Sequence, residues 1–229
     1  DSPDIPLNVS RSYLQSDSNV KKISSHINKK VVERLNEIFK SNREDFEKKW
    51  DDLKLFIQYG MISEEKFYER ASKFALFKNT ENKYFTFEEY ENIIKENQTD
   101  KNKSLIYLYA TDRDAQFSYI EKAQSKGYDV LLMDGQLEPH LINHLESKFK
   151  DSRFVRVDSD VIEKLIEKEE AIESKLDSEQ QENIKAVFSA QVKESDHLMV
   201  VAEPMLESDS PVVITQSEFM ESFRIHLTL

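Results

Sequence analysis

Val20, Ile23, Ile27, Val31, Leu35 and Ile38 recur at steps of three and four. That spacing lines one face of a long amphipathic helix, opening at Asp17/Ser18 and ending near Ser41-Asn42. Phe46, Trp50, Leu53, Phe56 and Ile57 form a second helical stripe, which Gly60 closes as a C′ glycine. Ser63 is expected to cap a third, with Phe67, Ala71 and Phe74 inward. Asn79–Lys83 is polar and reads as a loop. Thr86-x-x-Glu89 is a capping box ahead of a short helix carrying Tyr90, Ile93 and Ile94. Residues 17–96 are thus expected to be a bundle of helices with no strand between them. Phe46, Trp50, Phe56, Phe67, Phe74 and Phe77 are assigned to its core, with one or two exposed members open to a hydrophobic partner.

The period then changes. After the polar stretch Gln98–Lys103, the run Leu105-Ile106-Tyr107-Leu108-Tyr109 is short, apolar and continuous, as a buried strand is. A helix with Phe117, Ile120 and Ala123 stops at Lys126-Gly127. A second strand spans Tyr128–Met133 and breaks at Asp134-Gly135. Leu137–Phe149 is helical, with Leu141, Ile142 and Leu145 inward, and Phe154–Val157 is a third strand. Alternating strands and helices over so short a distance predict a parallel α/β layer with right-handed crossovers.

Glu163–Glu173 is a charged run expected to be a solvated linker or helix extension. Beyond it come a helix over about Ser178–Val192 and strands at Leu198–Val201 and Val212–Thr215, with Pro204 and Pro211 around the loop between them. Two short strands and one or two helices cannot close a core alone. The predicted fold class is therefore mixed α/β: a helical bundle, a small three-layer α/β/α unit with a short parallel sheet, and an incomplete α+β segment.

Composition narrows the chemistry. Acidic residues outnumber basic ones, 44 to 32 in 229 residues, for a formal charge of −12. That argues against nucleic acid, whose phosphates require a basic face. No cysteine is present, which removes disulfides, thiol nucleophiles and cysteine-ligated metals. The apolar runs are too short to span a bilayer, and no signal peptide opens the chain. Only three glycines occur, so the chain carries no glycine-rich phosphate loop. An intracellular, multi-part acidic protein is expected, and a fragment of a longer one.

His140 and His144 stand four apart with Glu138 and Glu146 nearby. They are expected to form a solvated helix face, because no third metal ligand with meaningful spacing accompanies them. His26, His197 and His226 are isolated. Arg11 would sit where an extended run, Ile5–Val9, gives way to a helix N-terminus capped by Ser10, a place that favours anions. Asn8 lies three residues before it and Gln15 one turn after. An arginine and two amides there would suit a phosphate oxygen, though any such junction can carry an arginine.

The same stretch resembles the catalytic-loop motif of the ninety-kilodalton heat-shock chaperone family (heat shock protein 90), whose consensus is roughly L-N-[VI]-S-R-E-x-L-Q. It stands here as Leu7-Asn8-Val9-Ser10-Arg11-Ser12-Tyr13-Leu14-Gln15, preceded by Asp1-Ser2-Pro3-Asp4-Ile5-Pro6, which is similar to the family's D-S-x-D-[LI]-P. Val31–Phe39 and Lys49-Trp50 to Gly60 resemble the next two helices. Ile106-Tyr107-Leu108 to Gly127-Tyr128-Asp129-Val130-Leu131-Leu132-Met133 is similar to I-Y-Y…G-[YLF]-E-V-L-Y-M. The resemblance extends over nearly the whole chain and is strongest to the bacterial HtpG type. Three departures stand out: Ser12 replaces an acidic residue, Asp134–Glu138 replaces E-P-[IM]-D, and Glu221–Leu229 does not follow the family pattern, so the sequence leaves open whether it is native or a foreign tail.

The resemblance implies an order of parts. Residues 1–16 would end the large α/β layer of a middle domain and hold its catalytic loop. Residues 17–103 would be a helical connector, 104–166 a small α/β/α subdomain, and 167–229 the start of a C-terminal dimerisation domain. It implies that Arg11 reaches the γ-phosphate of ATP bound, with Mg2+, by an N-terminal domain absent here, while Asn8 and Gln15 support the loop. No cofactor and no metal are expected in this chain itself, which should be inactive alone. The implied partners are unfolded or partly folded client proteins, the parent's own N-terminal ATPase domain and a second copy of the parent. No nucleic acid and no membrane are expected, and the implied location is cytoplasmic. Two alternatives stand beside this: a non-catalytic interaction scaffold, and a small independent α/β enzyme over residues 104–158 using Asp112, Asp114 and Asp134 at its strand ends.

Overall fold

The apolar stripe beginning at Val20 does build a helix, α1, over Ser18–Ser41, with Val32 and Leu35 buried. It opens the part of the chain visible in the computed structural model, which describes residues 18–168, 174, 176–192, 198–204, 211–216 and 223–228. The chain divides into two compact units, residues 1–76 and 77–229.

In the first unit, Asn42 ends α1 and caps α2 (Arg43–Lys48), its side chain accepting from Asp45 N–H. Lys49 separates α2 from α3 (Trp50–Ser63), and α4 follows over Glu65–Ala71. The second stripe is therefore two helices rather than one. Nor does Gly60 close it. The helix runs on to Ser63 because Met61 continues the buried row begun by Ile57. Ser63 ends α3 instead of capping α4, whose N-cap Glu64 makes no side-chain cap bond. Phe74 lies past α4 in a turn and is still fully buried. Its ring meets Phe46 edge-on at 5.9 Å, and Phe46 meets Phe39 at 5.5 Å. Such aromatic pairs are favourable beyond the area they bury.

The second unit opens with a hairpin that the helix-only expectation excluded. Strand β1 (Leu76–Lys78) pairs with β2 (Tyr84–Thr86) around Asn79–Lys83. Asn79 makes the turn: its Oδ1 accepts from Glu81 and Lys83 N–H, and Asn82 takes a left-handed conformation that asparagine tolerates. Helix α5 (Phe87–Ile94) begins at the expected Thr86–Glu89 capping box. It buries Phe87, Tyr90 and Ile94 and leaves Ile93 exposed.

The parallel layer forms as expected, with strand order β4-β3-β5. Strand β3 (Leu105–Ala110) pairs in parallel with β4 (Val130–Leu132) and β5 (Ser152–Arg156); α6 (Phe117–Ser125) and α7 (Glu138–Lys148) are the crossovers. Alternation along β3 sorts the two faces. Ile106, Leu108 and Ala110 join Ile120, Ala123 and Val130 with Ile162, Leu165 and Ile166. On the other face, Tyr107 stacks on Phe154 at 4.7 Å beside Phe77 and Phe149. Phe77 thus belongs to this layer and not to the bundle core. Phe117, the first residue of α6, is exposed.

The charged run after residue 162 is only partly solvated. Helix α8 (Ile162–Leu165) buries both its ends in the core, and Glu163 pairs with Lys126 at 2.6 Å. Helix α9 (Ser178–Ser189) starts at a capping box of Asp177 with Gln180. The last sheet has the order β6-β8-β7, from Leu198–Glu203, Phe223–Thr228 and Val212–Gln216. Residues whose origin the sequence left open supply its central strand: β8 runs parallel to β6 and antiparallel to β7. No helix among the described residues is long and apolar enough to cross a membrane.

Candidate functional site

Asn8, Arg11 and Gln15, the residues expected to contact phosphate, lie outside the described residues, as does the Ile5–Val9 run before them. The alternative site at the strand ends is described, and the carboxylate of Asp112 is occupied with the backbone. Oδ1 of Asp112 accepts from the N–H groups of Asp114 and Ala115 at 3.0 and 2.9 Å. Oε1 of buried Gln116 accepts from Thr111 and Asp112 N–H at 2.8 and 3.0 Å. These bonds make a turn leading into α6 and leave no row of N–H donors aimed at a ligand. Asp134 is exposed beyond β4. Among the described residues, no group of three or more His, Asp or Glu could hold a metal ion. His140 is exposed on α7 and His144 half-buried.

The densest polar construction in the layer lies at the start of β4. Asp129 accepts from Asn79 Nδ2 at 2.8 Å and from the Tyr90 hydroxyl at 2.9 Å. Its own N–H donates to Oε1 of Gln98, whose Nε2 donates to Ile106 O. Burial raises the Asp129 carboxyl above its ordinary range, and the two hydrogen bonds oppose the shift. Burial also raises Tyr90, with the Asp129 charge adding to it, so this phenol stays a donor. Asn79, Gln98 and Asp129 come from three loops, and their periodicity gave no sign of this. The one available signal was polar residues beside apolar runs, which marks a turn as readily as a buried network.

A second feature is an open cavity of about 800 Å3 between α7 and β5. Pro139, Ile142, Asn143 and Glu146 line it from α7, with Ser152, Arg153, Phe154 and Val155 from β5. Oε1 of Glu146 accepts from Phe154 N–H at 2.8 Å. The cavity was not foreseen, since its walls come from a helix and a strand edge with no shared motif.

Comparison with known proteins supplies the context for both features. The family model described as Hsp90 protein matches residues 1–226. The chain belongs to the Hsp90 family. The match takes in the first residues of β8, so that strand is part of the family segment and not a foreign tail. Chaperone protein HtpG of Bacteroides thetaiotaomicron is 58% identical over 226 residues, 98% of this chain and 33% of that protein. HtpG of Porphyromonas gingivalis strain W83 is 53% identical over the same length and coverage. This Hsp90-family chain thus spans 33% of the length of the curated relatives it matches. Among solved structures, the middle domain of a Plasmodium falciparum heat shock protein aligns with a TM-score of 0.49 at 16% identity, over 63% of this chain and 61% of that one.

Proposed function

We propose that this chain is the middle-domain part, and the start of the C-terminal part, of an ATP-dependent chaperone acting on unfolded or partly folded proteins. What carries this is the 58% identity to a chaperone named HtpG across 226 residues. The catalytic-loop motif Leu7–Gln15 falls within the matched span. Residues 1–16 carry the loop, 17–103 the connector, 104–166 the small α/β/α subdomain and 167–229 the beginning of a dimerisation domain.

Arg11 reaches the γ-phosphate of ATP held by a separate N-terminal domain of the full-length protein. A guanidinium is planar and always charged, so it can hold two phosphoryl oxygens at once and neutralise charge as the transferring group departs. An arginine delivered in this way accelerates phosphoryl transfer on the order of 10³–10⁵-fold. Asn8 and Gln15 hold the loop that presents it. Because the arginine arrives only when the domains close, hydrolysis is coupled to conformation. The described residues offer no ligand cluster that fits Mg2+. The nucleotide's Mg2+ is assigned to the ATP-binding domain of the full-length protein, and no step of this chain passes through it. The full-length protein works as a homodimer in the cytoplasm.

The test is Arg11→Ala in the full-length protein. Turnover falls by orders of magnitude while ATP affinity stays nearly constant, and Arg11→Lys does not restore the rate. Unchanged turnover removes the catalytic role and leaves a scaffold. The 229-residue chain alone is expected to show no measurable ATP binding in titration calorimetry.

A further inference from the structure

The loop after α5 is held in place by its own side chains. Gln98 is fully buried and bonds both Ile106 O and Asp129 N–H. Asn97 Nδ2 donates to Gly127 O at 3.2 Å, and the Thr99 hydroxyl donates to Lys95 O at 2.5 Å. Oδ1 of Asp100 accepts from the N–H groups of Asn102 and Ser104, both at 2.8 Å. The main chain of residues 97–101 is thereby fixed, and the carbonyls of Asn97 and Thr99 converge on a single point outside it, the Lys168 ammonium.

The segment leaving α8 is fastened to that loop. Leu165 and Ile166 are buried in the core, whereas Glu167 and Lys168 are exposed. Lys101 N–H donates to Glu167 O at 2.7 Å, and Lys101 Nζ meets Glu167 Oε2 at 2.5 Å. Lys168 Nζ donates to Asn97 O at 2.7 Å and to Thr99 O at 2.8 Å. Charged donors of this kind make the stronger hydrogen bonds. The Lys101–Glu167 pair is half exposed on both sides, so water and salt compete for it. These contacts can therefore open while Leu165 and Ile166 stay packed.

We propose that residues 97–101 are a clasp on the chain that leaves α8, closed by Lys101 and Lys168, and that its closure sets how firmly the last sheet docks on the α/β layer. The docking contacts include hydrogen bonds and an ion pair. The Tyr119 hydroxyl donates to Ile214 O, Arg156 Nη2 donates to Gln216 O at 2.8 Å, and Lys164 pairs with Glu203. Contacts made through a tether weaken as slack is added to it, because the effective concentration of the two faces falls. An open clasp frees Glu167 and Lys168, which adds roughly 7 Å of extended reach beyond Ile166. Docking then weakens with no docking residue altered. This proposal does not rest on the role of Arg11, and either can fail alone.

The test uses the 229-residue chain, which has no cysteine, so Glu121→Cys and Met199→Cys give two unique sites for nitroxide labels, on α6 and β6. Pulsed electron resonance reads the distance between layer and sheet, and amide exchange by NMR reads the clasp at Lys101. Lys168→Gln shortens the side chain and removes its charge. It is expected to speed Lys101 exchange at least roughly fivefold and to broaden the distance distribution at least roughly twofold. Lys168→Arg keeps the charge and the donors, and stays close to the unaltered chain in both readouts. The Met133 amide, which donates to Ala110 O within the layer, keeps its protection throughout. Unchanged Lys101 exchange in Lys168→Gln, faster exchange with an unaltered distance distribution, or equal disruption by Lys168→Arg overturns the proposal. Loss of Met133 protection assigns Lys168 to the core fold and overturns it as well.

Discussion

The Tyr90 hydroxyl donates to Oδ1 of Asp129 at 2.9 Å, tying α5 to the start of β4 across 39 positions of sequence. Asn79 holds the other carboxylate oxygen, so hairpin, helix and sheet share one side chain. A hydrogen bond to a charged group contributes about 1.5–3 kcal/mol. Tyr90→Phe keeps the ring in its aromatic cluster and removes only that bond. It is expected to destabilise the fold by about 1.5–3 kcal/mol, read as a shift in urea midpoint at constant slope.

The same carboxylate gives a pH signature of unusual sign. Burial raises its folded pKa above the ordinary value of an aspartate carboxyl. The folded state therefore holds the Asp129 proton when the unfolded chain has released it. Its contribution is fully present below the unfolded pKa and is lost as pH rises through the folded one. Asp129→Asn removes this dependence. As pH rises from about 4, the stability difference should shift in favour of the variant until the folded carboxyl has ionised; a difference that is constant with pH removes the assignment.

Gly60 stands in the interior of α3, where alanine would ordinarily add about 1 kcal/mol of helix propensity. Here a Cβ would meet the Phe67 ring at 2.6 Å. That ring is buried and held edge-on by Phe56 at 5.9 Å, so it has little room to yield. Gly60→Ala is expected to destabilise by about 1–3 kcal/mol through overpacking. Phe67→Leu in the same chain should recover part of that loss, as a double-mutant cycle of thermal midpoints would show.

Periodicity and caps made much of this architecture legible. The three-and-four stripe of α1, the Thr86–Glu89 box and the continuous run of β3 each report a local preference that the tertiary structure keeps. What escaped was set by distant partners. Gly60 looks like a terminator until Phe67 is placed against it. Leu76–Lys78 and Tyr84–Thr86 are too short to show an alternation of their own, and Asn79 makes their turn while also bonding Asp129. The catalytic-loop residues were legible only through their resemblance to a family. Spacing alone does not distinguish Arg11 from an arginine at any strand–helix junction.

Strand β8 makes the last sheet depend on its final segment. Strands β6 and β7 each pair with β8, which lies between them in the sheet. Ending the chain after Gln216 removes both ladders at once. Limited proteolysis of that shortened chain should cut within 198–216 at a protease level that leaves residues 77–168 intact. Resistance equal to that of the full 229-residue chain would show that β8 is not the centre of the sheet.

Gln98 sits in a polar stretch of sequence, yet its side chain is fully buried. It accepts from Asp129 N–H at 2.6 Å and donates to Ile106 O at 2.8 Å, stitching β3 to the residue that precedes β4. Methionine has nearly the same length and offers neither group. Gln98→Met would leave a donor and an acceptor unpaired in the interior, at about 1–3 kcal/mol each. Gln98→Glu separates the two bonds. Its carboxylate still accepts from Asp129 N–H but cannot donate to Ile106 O, and it carries a charge into a buried site. Once protonated, it regains a donor. Its folded pKa is therefore expected to be raised, so its deficit relative to glutamine grows as pH rises through that value. Denaturation of both variants across that range, with exchange of the Asp129 amide as a local readout, should show Gln98→Met failing equally at every pH and Gln98→Glu recovering in acid.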